Sequence, residues 1–119
     1  MIYVSTGGDS EQTAYNTACK FLDFGIENIE LSGGLYDKWA FKNIKLLSSH
    51  SNVQLHNYFP PPKKPFVMNL ASDNNEIVES TKKHIKFALN LSAEIGTFLY
   101  SFHAGFLLDP KVEELGNRV

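Results

Sequence analysis

Two histidines and a glutamate carry most of the chemistry that this chain can offer: Glu30, His56 and His103. Each stands near the end of a short apolar, β-branched or aromatic run, in Ile26 to Leu31, Val53 to Asn57 and Thr97 to His103. Two imidazoles from neighbouring strands can turn ring nitrogens toward one divalent ion, with carboxylates completing a mixed nitrogen and oxygen shell suited to Zn²⁺, Mn²⁺ or Fe²⁺. Taken singly, each histidine fits a hydrogen-bonded barrel residue better than a ligand. Their common register at strand ends is what points to a metal.

The elements that must position them alternate along the chain. Ile2 to Thr6 reads as strand one, ended by Gly7 and Gly8. Asp9 offers a helix cap with Gln12 three residues on, and helix one is expected from about Ser10 to Phe24, closed by Gly25. Ile26 to Leu31 is strand two, ended by Ser32, Gly33 and Gly34, and Ala40, Ile44 and Leu47 define a weaker second helix. After strand three, Val53 to Asn57, the prolines at 60, 61, 62 and 65 permit only a rigid loop. Ser72 to Asn75 can cap a long helix in which Val78, Thr81, Ile85, Ala88, Leu89 and Ile95 share a face, ending at Gly96. Thr97 to His103 is strand four, and Asp109 with Pro110 resembles the cap and first position of a last helix.

This βαβαβαβα order predicts parallel strands joined by right-handed crossovers, an α/β layer fold. Strand side chains alternate between two faces. One face holds Ile2, Val4, Ile29, Leu31, Val53, Leu55, Phe98, Tyr100 and Phe102. The other, with Tyr3, Ser5, Asn28, Glu30, Gln54, His56, Leu99, Ser101 and His103, is mostly polar. A doubly wound sheet would be apolar on both faces. A barrel with helices outside and polar groups at the C-terminal strand ends accounts for the asymmetry, and a four-stranded sheet with one wet face is the plainer alternative.

The runs Gln54-Leu55-His56-Asn57-Tyr58, Val67-Met68-Asn69-Leu70-Ala71 and Ser101-Phe102-His103-Ala104-Gly105, with the opening Val4-Ser5-Thr6-Gly7-Gly8, resemble the xylose-isomerase-like barrel superfamily. That group includes sugar phosphate isomerases and epimerases and the endonuclease IV type of abasic-site nuclease. The resemblance implies that His56 and His103 are metal ligands and that Glu30 is a catalytic or substrate-side carboxylate. It makes Asn69 a substrate-side residue and a support for the loop after strand three. Trp39, with Tyr36, would stack on a sugar face at the barrel mouth or pack against a helix. Family members complete the site from strands five to eight, and Asp109, Glu113 and Glu114 do not match those later ligands.

A whole eight-stranded barrel takes roughly 200 residues or more. The expectation for these 119 residues is therefore one domain holding about four βα units, a partial (β/α)8 barrel. It reads either as the N-terminal half of a longer protein or as a half-barrel that pairs with a copy of itself through its open strand edges, giving a homo-oligomer. When complete, such a barrel would be a metal-dependent sugar or sugar phosphate isomerase or epimerase, inactive as the half alone. The alternatives are an abasic-site nuclease and a catalytically silent, truncated half-barrel that oligomerises.

Composition narrows the setting. With 43% apolar and 13% aromatic residues the chain can build a core, which argues against disorder. Eleven Lys and Arg against thirteen Asp and Glu give a net charge of −2, which weakens any nucleic-acid reading. A single cysteine, Cys19, no signal-like opening and no run of ~20 apolar residues lead to the expectation of a soluble, cytoplasmic protein without a membrane partner. Gly7-Gly8 and Ser32-Gly33-Gly34 can cradle a phosphate, but turns after strands need glycine in any case. Lys63 and Lys64 can contact an anion or keep the proline loop soluble. His84 is expected on the surface or boundary of the long helix, and His50 in the loop away from the site.

Overall fold

The computed structural model describes residues 1–115. The order is β1 (Val4–Ser5), a 3-10 turn (Thr6–Gly8), α1 (Ala14–Asp23), β2 (Asn28–Leu31), α2 (Ala40–Ser48), β3 (Asn52–His56), α3 (Asn75–Glu94), β4 (Tyr100–Ser101) and a second 3-10 turn (Val112–Glu114). The strands form one parallel sheet in the order β1-β2-β3-β4. Consecutive parallel strands joined by crossovers of one hand place every helix on the same side. The core agrees: Ala14 and Ala18 of α1, Ile44 and Leu47 of α2 and Leu91 of α3 join Ile29, Leu31, Val53 and Leu55 in a single cluster. The chain is thus a singly wound α/β unit with its apolar sheet face under the helices.

Helix α1 starts at Ala14, four residues later than the capping pattern at Asp9 suggests. Asp9 Oδ1 accepts from the Glu11 amide at 3.1 Å, holding a local turn, and Thr13 Oγ1 caps the helix by accepting from Asn16 N at 3.2 Å. The residues between are drawn into a neighbouring loop, where Leu35 N donates to Gln12 O at 2.9 Å. Gly34 allows that approach. It has φ +85°, and a Cβ there would lie 2.8 Å from Ala14 N.

Strand β4 covers only Tyr100 and Ser101 of the expected Thr97 to His103. Its sole neighbour among the described residues is β3, which ends at His56, so the ladder runs out at His56↔Ser101. The last helix is replaced, through Leu115, by the turn Val112–Glu114; its expected continuation lies outside the described residues. Asp109 does not cap a helix, because its carboxylate accepts from Asn69 Nδ2 at 2.7 Å and Ser72 Oγ at 2.6 Å. On α3 the buried stripe is Thr81, His84, Ala88, Leu91 and Ser92, while Leu89 faces out. No helix among the described residues is long and apolar enough to cross a membrane.

Candidate functional site

The register assembles the polar face pair by pair. Asn28 lies opposite Asn52, Glu30 opposite Gln54, and His56 opposite Ser101. Each pair is also joined through its side chains: Asn52 Nδ2 donates to Asn28 Oδ1 at 2.8 Å, Gln54 Nε2 donates to Glu30 Oε2 at 2.9 Å, and His56 Nδ1 lies 2.7 Å from Ser101 Oγ. Cross-strand partners of this kind fix side chains that would otherwise sample several rotamers. Gln54 holds one oxygen of Glu30, and Ser101 fixes the plane of the His56 ring. The backbone continues the pairing one step past β3, with Asn57 N donating to Ser101 O at 2.8 Å.

His103 stands two residues beyond β4 and meets His56 edge to face, with ring centres 5.7 Å apart and planes at 69°. Two imidazoles on one tetrahedral ion, with metal–nitrogen bonds of about 2.0–2.1 Å, have ring centres about 5 Å apart. The observed separation of 5.7 Å is somewhat longer than that value. With Nδ1 of His56 turned to Ser101, Nε2 is the nitrogen left to face an ion, the arrangement in which an outer hydroxyl orients a ligating ring. Among the described residues, no three His, Cys, Asp or Glu side chains gather as a metal-binding group. What the chain brings together is therefore a two-imidazole pair with Glu30 on the same sheet face.

The remaining expected site residues are placed differently. Asn69 is fully buried, and its side chain is used within the protein. Its Nδ2 donates to Phe106 O and Asp109 Oδ1, and its Oδ1 accepts from Ala71 N and Phe106 N. The Asn69 amide in turn donates to Thr81 Oγ1 at 3.0 Å. Asn69 thus ties the loop after β3 to the loop after β4 and supports both. Trp39 is exposed just before α2, where Lys38 Nζ sits 5.2 Å from its ring centre. Gly7 spends its amide on Ser5 Oγ at 3.2 Å, and Gly33 and Gly34 adopt positive φ, so these glycines shape turns.

His84 is buried, more deeply than the surface or boundary position expected of it. It lies three residues after Thr81 and four before Ala88, the spacing of a helix stripe, and that signal was present in the sequence. Desolvation holds its imidazole below the ordinary pKa. On the apolar face, burial pushes the Tyr100 hydroxyl up to about 12. Comparison of the chain with protein-family models, with curated proteins and with solved structures found no match.

Proposed function

We propose that the four βα units are one half of a (β/α)8 barrel and that its polar face is the lumen of a metal-dependent sugar or sugar phosphate isomerase or epimerase. The observation that carries this reading is the pairing of His56 with His103 at the C-terminal ends of adjacent parallel strands, the end at which such barrels place their active sites. His56 and His103 would hold a divalent ion, which when bound supplies Lewis-acid polarisation of a carbonyl or a hydroxyl pair. Glu30, steadied by Gln54, would move the proton at the neighbouring carbon as general base and acid. Asn69 acts at one remove, by fixing the loops that carry the site.

Among the described residues the sheet is open at β1 and β4, and large apolar side chains beside both edges are exposed, Ile2 on one side and Phe98 and Phe102 on the other. A second copy of the chain is the proposed complement, closing the edges and adding carboxylates and imidazoles to the lumen. Protein supplied with Mn²⁺ or Zn²⁺ is expected to epimerise or isomerise sugar phosphates, and Glu30→Gln is expected to remove that activity. Cleavage of abasic-site DNA with no turnover of sugar phosphates would replace this reading with the nuclease one.

A further inference from the structure

On the helix side of the sheet, away from the histidine pair, lies a cavity of about 720 Å³ between the start of α2, the proline loop and the middle of α3. Its size is that of a small-molecule site, which typically falls between about 300 and 1,000 Å³. Phe41, Phe66, Phe87 and Leu91 line it, with Pro60, Pro61 and Pro62 as a wall free of backbone donors. His84 lines it too and meets Phe66 edge to face at 6.3 Å. Its Nε2 is buried and has no hydrogen-bond partner among the described residues. A buried polar atom left alone is costly, and a ligand group that reached it would remove that cost.

The charge around the cavity is one-sided. Lys38, Lys64 and Lys83 stand around it in a chain whose net charge is −2. Asp37 is the lone acid among the lining residues, and its carboxylate already accepts from Trp39 N and Asn43 Nδ2, both at 2.8 Å. Burial keeps the His84 imidazole neutral at pH 7, so it can give or take one hydrogen bond at Nε2.

We propose that this cavity binds a small aromatic carboxylate bearing a second polar group, with its rings among Phe41, Phe66 and Phe87, its carboxylate at Lys64 and Lys83, and its second polar group at His84 Nε2. The aromatic walls favour a flat apolar body, the lysines an anionic head, and the unpartnered nitrogen a single hydrogen bond. The site does not depend on the proposed barrel chemistry.

The test is a calorimetric titration with 6-hydroxy-2-naphthoate, compared with the corresponding neutral amide, 6-hydroxy-2-naphthamide. Saturable one-to-one binding is expected, at least tenfold tighter for the acid than for the amide. Lys64→Gln with Lys83→Gln, both at exposed positions, should remove that preference. His56→Ala with His103→Ala should leave binding unchanged, and the imidazole NMR signals of His84 should shift on addition of the probe. No saturation up to millimolar probe, equal affinity for acid and amide, no effect of the lysine changes, loss of binding with the His56 and His103 changes, or an unmoved His84 signal would each overturn the proposal.

Discussion

Asn69 shows how far a residue's type can be read apart from its surroundings. An asparagine in the loop after a strand suits a substrate contact, yet this one spends both side-chain polar atoms on Ala71, Phe106 and Asp109. Those partners lie up to forty residues away in sequence, and the contact depends on loops whose path no local pattern encodes. Asn69→Ala is expected to destabilise the fold by about 2 kcal/mol, because it empties a fully buried position and removes the side chain that pairs with Ala71 N, both backbone groups of Phe106 and the Asp109 carboxylate. Urea unfolding checks this, and a change below about 0.5 kcal/mol would remove Asn69 from its supporting role. His84 offers a second test. Its folded-state pKa is depressed by burial, so the unfolded chain binds the proton more tightly. The stability linked to His84 is present in full above the ordinary value of 6.5 and is lost as pH falls from there toward the folded pKa. The unfolding free energy from urea titrations should fall between pH 7.5 and pH 5.5 in the native chain, by at most about 1.4 kcal/mol per pH unit from this group. The part due to His84 should vanish in His84→Leu.

At the scale of the elements, period-two runs and glycine punctuation located the strands and the turns that end them. The regular parts of α2, β3 and α3 fall where spacing places them, because their apolar residues also form the core. Departures occur where an element's edge depends on a partner. Helix α1 begins late because Gln12 is engaged by the loop after β2 and Thr13 serves as the cap, and β4 is short with one neighbour among the described residues. Gly34 is the hinge of the first of these. Gly34→Ala must bear both a left-handed backbone and a Cβ 2.8 Å from Ala14 N, whereas Gly25→Ala, at φ +79°, meets open space. Thermal or urea unfolding should show Gly25→Ala costing about 1 kcal/mol and Gly34→Ala distinctly more. Equal costs would mean that the loop yields freely and does not set the start of α1.

For the whole molecule, one-sided winding and the polar opposite face were legible together, since both follow from the alternation of residues along four short runs. How the sheet closes was not, because edge complementarity depends on what lies beside β1 and β4. A sheet open at both ends with Ile2, Phe98 and Phe102 exposed is expected to self-associate. Light scattering should give twice the chain mass at micromolar concentration, and Phe98→Lys with Phe102→Lys should shift the protein toward monomer. A monomer at all concentrations would leave the edges uncovered by copies of the chain. A metal site in the barrel lumen requires His56 and His103 to act as a pair. Equilibrium dialysis against Zn²⁺ tests it most directly: the native chain should bind about one ion for each histidine pair, fewer if paired copies share one, and His56→Ala and His103→Ala should each weaken binding at least tenfold while circular dichroism stays unchanged. Zn²⁺ binding of equal strength in the native chain and the double variant, or none in either, would contradict it.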